Sequence, residues 1–123
     1  MTVVLPPFAM SKIVYKLFRR SEWQDAQQTG IFSGSADDRR DGFIHLSAPD
    51  QVRGTFEKYF AEGPEPVLVA FDAERLGPAL KWEISRGGRH FPHFYGVLQI
   101  NEALSVFRIR REAGRAIFPP EIL

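Results

Sequence analysis

A chain of 123 residues is long enough to bury the core of one domain and too short for two typical ones. The net charge of +1 excludes an overall field that would recruit nucleic acid or a membrane surface, so an anionic ligand must be held by a local cluster of charges. The chain has no cysteine, which excludes disulfides, thiolate zinc sites and a cysteine nucleophile and favours a cytoplasmic location.

The first ten residues are apolar, but Pro6 and Pro7 interrupt them and no basic segment precedes them, which is atypical of a signal peptide. We expect residues 1–10 to form a flexible N-terminal extension, with Met10 as an alternative start. Residues 11–123 are then expected to form a single α+β domain.

A strand and a helix are predicted at the start of this domain. Residues 12–18 alternate and are rich in β-formers, which favours a strand. Ser21 and Gln24 have the spacing of a capping box, which predicts a helix that begins near Ser21 and ends at Gly30. Residues 33–41, SGSADDRRD, predict a polar loop.

Residues 42–47, GFIHLS, predict a second strand that runs directly into a helix. Ser47 is suited to cap this helix, and Pro49 falls in its first turn, where a missing N–H costs little. The helix would have an apolar stripe of Val52, Phe56, Tyr59 and Phe60.

The second half of the chain predicts strands with little helix. The apolar run of residues 67–72 favours a central strand, and residues 73–79 an irregular connection or a single helical turn. Residues 80–85 alternate as a strand. Late strands are expected in the segments VLQI and LSVFRIRR, after a glycine- and aromatic-rich loop at residues 86–96. This order favours an α+β fold over a doubly wound parallel sheet.

The first candidate site lies on the GFIHLS strand. Because side chains alternate along a strand, His45 and Ser47 share one face, while Ile44 and Leu46 point to the core on the other. His45 is suited to polarise a ligand or exchange protons, and Ser47, before a helix, to hold an anion. The alternative is structural: His45 as a hydrogen-bonded core residue and Ser47 as a helix cap.

The second candidate site is the segment ISRGGRHFPHFYG, residues 84–96. Arg89 and Arg86 offer guanidinium groups suited to phosphate or carboxylate, and His93 can exchange protons near neutral pH. Tyr95 offers a flat face for a planar ring. The alternative is a structural loop that closes one end of the domain with aromatic rings.

Three further residues could line a site or lie on the surface. By alternation Glu83 shares a face with Lys81 and Ser85, where it is either solvated or a general base that faces a cleft. Tyr15 and Lys16, on the first strand, are either surface residues or part of a pocket wall.

The motifs DGFIHLS and FPHFYG, about fifty residues apart, resemble the mainly bacterial family known as domain of unknown function 952. The resemblance extends to the VYK of the first strand, Trp23, Gln51 and the Trp82–Glu83 pair.

That family is similar in fold to the ADP-ribosyltransferases, which implies split antiparallel or mixed sheets with two main helices and makes NAD the implied cofactor. The resemblance implies that His45 and Ser47 line a nucleotide cleft. It also implies that Tyr15 and Lys16 replace a first-strand ligand residue, that Gln51 is a ligand-binding residue, and that Glu83 or His93 is the late catalytic residue.

These observations leave three functions open. The first is a protein that binds a nucleotide such as NAD or ADP-ribose, with transferase activity as one form of it. The second is a non-catalytic module that binds a small ligand with the same residues. The third is a metal-dependent enzyme that uses His45, His90 and His93, because two closely spaced histidines can share one ion. The sequence does not specify the oligomeric state.

Overall fold

The structure, a computed structural model, describes residues 13–122 and has a mixed α+β architecture with antiparallel sheets, as predicted. The expected extension over residues 1–10 lies outside the described residues. Within residues 13–122 the strands are β1 Ile13–Phe18, β2 Ile31–Phe32, β3 Ile44–His45, β4 Val67–Asp72, β5 Leu80–Ile84, β6 His90–Phe94, β7 Leu98–Gln99, β8 Ser105–Arg108, β9 Arg110–Glu112 and β10 Arg115–Ile117. The helices in the same part of the chain are α1 Arg20–Thr29, α2 Ala36–Asp41, α3 Val52–Tyr59 and α4 Ala73–Leu76.

The first sheet has the order β1-β4-β8, so β4 is its central strand, as its continuous apolar run predicted. Both faces of this sheet are covered, because alternate residues of β1 and β4 belong to two separate core clusters. One cluster includes Val14 and Phe71 with Trp23 of α1. The other includes Leu68 with Phe56 of α3. Because both faces of β4 are buried, polar and apolar residues do not alternate along this strand.

The second sheet has the order β3-β6-β5, and its central strand was not predicted. The sequence pattern suggested a loop over residues 86–96, but residues 90–94 pair with strands on both sides. Before this strand, Arg86–Gly88 form a single 3₁₀ turn with both glycines at positive φ. The glycines and the proline of this segment are typical of a loop, but the pairing of β6 with strands on both sides outweighs that preference.

An antiparallel bridge joins the two sheets at Tyr15 and Ser47. The amide of each residue donates to the carbonyl of the other at 2.8 Å. The chain therefore leaves the second sheet after His45 and reaches the first sheet at Ser47. This crossing shortens the predicted strand over residues 42–47 to Ile44–His45.

The predicted start of α1 near Ser21 is confirmed, since the helix begins at Arg20. The predicted Ser21–Gln24 capping box is wrong, because the Glu22 carboxylate instead accepts a 2.8 Å hydrogen bond from the amide of Arg19. The predicted end of α1 at Gly30, with φ of 82°, is confirmed. Ser47 does not cap a helix, because a 3₁₀ turn at residues 49–51 intervenes before α3.

The predicted polar loop over residues 33–41 contains the short helix α2. Ser35 caps it and accepts from the Asp38 amide at 3.2 Å, while the Asp38 carboxylate accepts from the Ser35 amide at 2.9 Å. Gly42, with φ of 86°, ends the helix. In residues 13–122 no helix combines the length and the apolar character that a membrane span requires.

Candidate functional site

A cleft of about 460 Å³ opens where the two sheets meet the end of α2 and the side of α3. Its walls come from β1, α2, the β3 segment, α3, the turn before β6, and β6 itself. The polar side chains that matter for its chemistry are Lys16, Asp38, Asp41, His45, Ser47, Thr55, Arg86 and His93.

Asp38 organises one wall of this cleft. Its Oδ1 lies 2.6 Å from Nδ1 of His45, and its Oδ2 lies 3.2 Å from Nζ of Lys16. The side chain of Asp38 is 2% exposed. Burial on its own would raise the pKa of Asp38, but the hydrogen bond from His45 and the charge of Lys16 outweigh it and hold that pKa far below the ordinary carboxyl value.

His45 is held between two carboxylates. Besides the Asp38 contact at Nδ1, its Nε2 lies 2.9 Å from Oδ2 of Asp41. Carboxylate oxygens only accept hydrogen bonds, so this arrangement suits an imidazole that donates from both nitrogens. Asp41 is the last residue of α2, and its side chain is 33% exposed.

His93 lies directly opposite His45 in the β3–β6 register, and the two ring centroids are 5.7 Å apart. Its Nδ1 is 2.8 Å from Oε1 of Glu83, which also accepts from the Tyr95 hydroxyl at 2.7 Å. Burial lowers the pKa of His93 and outweighs the opposite effect of Glu83. Phe43 stacks on the ring with a centroid distance of 3.9 Å, which fixes its plane.

Hydroxyl and guanidinium groups form the other end of the cleft. Ser47 Oγ and Thr55 Oγ1 are 2.9 Å apart, and Nη2 of Arg86 donates to Thr55 at 2.7 Å. The Arg86 guanidinium also lies over the rings of Phe91, at 4.7 Å, and Tyr59, at 5.6 Å. Among residues 13–122, no carboxylate lies within 4.0 Å of the Arg86 guanidinium nitrogens.

The cleft contains some of the residues that the sequence singled out and excludes others. Five of them line it: Lys16, His45, Ser47, Arg86 and His93. Glu83 and Tyr95 lie behind His93 and reach the cleft only through that imidazole.

Besides Tyr95, three of the suggested ligand residues do not line the cleft. Tyr15 is 4% exposed and packs in the core cluster beside α3. Arg89 pairs with Asp50 at 2.8 Å on the surface. Gln51 is 4% exposed, with its oxygen bound to the Ala48 amide and its nitrogen to the His90 carbonyl.

Sequence reasoning missed Asp38, Asp41 and Thr55. The segment that carries both aspartates was read as a loop, although Ser35 and Asp38 have capping-box spacing and Gly42 is a helix-ending signal. Thr55 lies one turn beyond Gln51 in α3 and has no sequence signal that distinguishes it from a surface residue.

The three-histidine metal site finds no support in the geometry. His90 and His93 are three positions apart on β6, so their side chains leave opposite faces of the strand. Only His93 of these two lines the cleft. Residues 13–122 contain no group of three histidine, aspartate or glutamate side chains arranged to hold a metal ion.

Gly34 positions Asp38 and gives a first prediction. Its φ is +126°, and a Cβ built there would lie 3.0 Å from Cβ of Asp38. We expect Gly34→Ala to lower the free energy of unfolding by about 1–3 kcal/mol, because it adds backbone strain and crowds a buried side chain. Urea denaturation measures this change, with Gly54→Ala as the control, since Gly54 lies in α3 with open space around it. Equal stability changes in the two variants would contradict a tight approach at Gly34.

Comparisons with known proteins give a family and solved relatives. Residues 17–106 match the sequence model of the family described as "Protein of unknown function (DUF952)". The chain is 44% identical to protein CC0527 from Caulobacter crescentus in its crystal structure, with a TM-score of 0.80 over 85% of this chain and 93% of that one. The solution NMR structure of CC0527 gives 45% identity and a TM-score of 0.73 over 85% of this chain and 90% of that one. No curated protein matches the chain.

Proposed function

This chain belongs to the DUF952 family, and from the cleft itself we propose that it binds a small phosphorylated molecule of the nucleotide type. The observation that carries the proposal is the Arg86 guanidinium, which is held by Thr55 beside Ser47 and is paired with no carboxylate in the described part of the chain. A guanidinium that is oriented but not neutralised is suited to phosphate oxygens. The Ser47 hydroxyl adds a donor that can turn to the same anion, whereas the Thr55 hydroxyl donates to the Gln51 carbonyl at 3.1 Å and serves to orient Arg86.

The charges of the cleft favour a ligand with low net charge. Four lining side chains are cationic and four are anionic: Lys16, Arg19, Arg40 and Arg86 against Glu22, Asp37, Asp38 and Asp41. The anionic side chains gather near His45, while Arg86 lies at the end that carries the hydroxyls. A ligand with one phosphate at the Arg86 end and a neutral, hydrogen-bonding part near His45 fits this distribution.

A narrower form of the proposal is NAD or an ADP-ribose-like ligand on a fold of the ADP-ribosyltransferase type. Two small antiparallel sheets beside helices support this form. In it, His45 and Ser47 contact the ribose and phosphate. Phe91 takes the stacking role expected of Tyr95, because Phe91 lines the cleft and Tyr95 does not.

Calorimetry with matched ligands tests the proposal. We expect AMP, ADP-ribose or NAD to bind and adenosine, which lacks phosphate, to bind at least about tenfold more weakly, because it makes no charge-assisted hydrogen bond to Arg86. No heat of binding with any phosphorylated ligand at millimolar concentration, or equal affinity for AMP and adenosine, would overturn it.

A substitution locates the phosphate. Arg86→Gln should weaken the binding of AMP about tenfold or more, since it removes the charge and one donor. Arg53→Gln is the matched control, because Arg53 also lies over a phenylalanine ring, that of Phe118 at 4.5 Å, but does not line the cleft. Similar losses in both variants would place the phosphate elsewhere.

A further inference from the structure

We propose that His45 and His93 form an acid–base pair that hydrolyses phosphodiesters held in the cleft. This inference rests on the proposed function and names the substrate class and the reaction at the same site. It comes from the juxtaposition of two imidazoles on facing strand positions, each oriented by its own carboxylate, in a cleft that also presents an arginine paired with no carboxylate of the described residues.

The two rings have the geometry that acid–base catalysis on one substrate requires. They lie on paired positions of adjacent strands with centroids 5.7 Å apart, so one small group can touch both. Each Nδ1 faces a carboxylate, Asp38 for His45 and Glu83 for His93. A carboxylate at Nδ1 keeps the proton on that nitrogen and leaves Nε2 for the substrate.

The surroundings of the two imidazoles assign different roles to them. His93 is 5% exposed, and its burial favours the neutral ring, whose Nε2 carries a lone pair and acts as a base. His45 faces carboxylates at both nitrogens, so it is placed to donate from Nε2. The two imidazoles therefore meet different groups, and such a difference between two groups of one chemical type is typical of an acid–base pair.

The position of Asp41 indicates what His45 Nε2 contacts in the complex. A carboxylate oxygen lies 2.9 Å from that nitrogen, in a place where an oxygen of a bound phosphate ester would be accepted equally well. Because Asp41 is at the end of α2 and partly exposed, a substrate can displace it without disturbing the core. Asp41 is therefore a competitor of the substrate for His45.

The charge balance of the cleft favours a phosphodiester over a phosphomonoester. A diester carries one negative charge, whereas a monoester carries close to two at neutral pH and therefore binds less favourably beside Asp41 and Asp38. The Arg86 guanidinium, oriented by the Thr55 hydroxyl, and the Ser47 hydroxyl are the donors for the two oxygens of the diester that are not esterified.

The reaction needs only water and the two imidazoles. Nε2 of His93 removes a proton from water as the water oxygen bonds to phosphorus. The bond from phosphorus to one ester oxygen breaks, and that oxygen takes a proton from Nε2 of His45. The products are a phosphomonoester and an alcohol, and the proton returns from His93 to His45 through solvent, so both atoms and charge balance.

Two synthetic substrates separate the roles of the imidazoles. The 4-nitrophenyl ester of thymidine 5′-phosphate has a leaving group that needs no acid, whereas the phenyl ester has one that does. We expect His93→Gln to slow hydrolysis of both esters by about a hundredfold or more, and His45→Gln to slow only the phenyl ester by that factor. His90→Gln is the control, because that side chain lies on the other face of β6, and its rates should equal those of the unchanged protein.

Asp41→Ala provides a second test at an exposed position that does not support the core. It removes the competing carboxylate, so the phenyl ester should bind more tightly and turn over at least as fast at low substrate concentration. A loss of turnover in this variant would overturn the assignment of Asp41.

Calorimetry on the same esters separates the two proposals. Binding without hydrolysis, or hydrolysis that His45→Gln and His93→Gln leave unchanged, would overturn the acid–base pair and leave the binding proposal intact. No binding of either ester, of AMP or of ADP-ribose would overturn both.

Discussion

Replacing Asp38 by asparagine should lower the free energy of unfolding by about 3–5 kcal/mol near neutral pH, the range expected when one partner of a buried ion pair is removed. Asp38 is 2% exposed and contacts Lys16, which is 8% exposed, and His45. Its two oxygens also accept from the backbone amides of Ser35 and His45 at 2.9 and 3.1 Å. Asparagine keeps one acceptor oxygen and leaves the Lys16 ammonium buried without its counter-charge.

The effect should depend on pH with a definite sign. The pKa of Asp38 is lowered in the folded protein, because the His45 hydrogen bond and the Lys16 charge outweigh burial. The folded state therefore binds fewer protons than the unfolded state, and the contribution of Asp38 to stability is present above the ordinary carboxyl pKa of 3.8 and is lost as the pH falls below it. The stability difference between the two proteins should thus narrow under acidic conditions.

Urea denaturation at about pH 7 and about pH 3 measures both parts of this prediction. Asp37→Asn is the matched control, since Asp37 is the preceding residue of α2 and its side chain is 55% exposed. We expect a change of less than about 0.5 kcal/mol in the control. A loss in Asp38→Asn that stays constant with pH would show that the carboxylate charge is not what stabilises this wall.

Much of the fold was accessible to sequence reasoning because its signals are local. The apolar run of residues 67–72 and the alternation of residues 80–84 each describe a strand in its own sequence, and both strands form. The alternation along GFIHLS also placed Ile44 and Leu46 in the core, where they are 2% and 3% exposed. Such a pattern records which face of a single strand is buried, so it can be read from the sequence without knowing the neighbouring strands.

The rest depends on partners that are distant in sequence. Helix α2 has six residues, five of them charged, so no apolar periodicity marks it, and Lys16 and His45 stabilise it from other elements through Asp38. Strand β6 contains Pro92 and follows two glycines, which are loop signals, yet both its edges are paired. The site also depends on distant partners. Asp38 belongs to it because Lys16 of β1 and His45 of β3 contact the Asp38 carboxylate in the folded chain.

The fold places the two DUF952 motifs side by side. GFIHLS and FPHFYG contribute adjacent antiparallel strands, and their histidines occupy the same rung. The carboxylates at the two Nδ1 atoms come from outside the motifs, Asp38 from α2 and Glu83 from β5, whereas Asp41 is the first residue of DGFIHLS. A change at either carboxylate should therefore affect the site without altering either motif.

Gln51→Leu should lower the free energy of unfolding by about 2–4 kcal/mol, since it removes the hydrogen bonds of a buried amide side chain to two backbone groups. The side chain oxygen of Gln51 accepts from the Ala48 amide at 3.0 Å, and its nitrogen donates to the His90 carbonyl at 2.7 Å. It thereby ties the segment after the first motif to the start of β6. The sequence predicts instead that Gln51 is a ligand-binding residue.

Two measurements on Gln51→Leu decide between these roles. Thermal or urea unfolding gives the stability change, with Gln24→Leu on the exposed face of α1 as a control that should change little. Calorimetry with AMP, under conditions where the variant is folded, gives the affinity, which we expect to equal that of the unchanged protein because both ends of the amide are already bound inside the fold. Unchanged stability together with weaker AMP binding would show that Gln51 contacts the ligand and does not stabilise the contact between the two motifs.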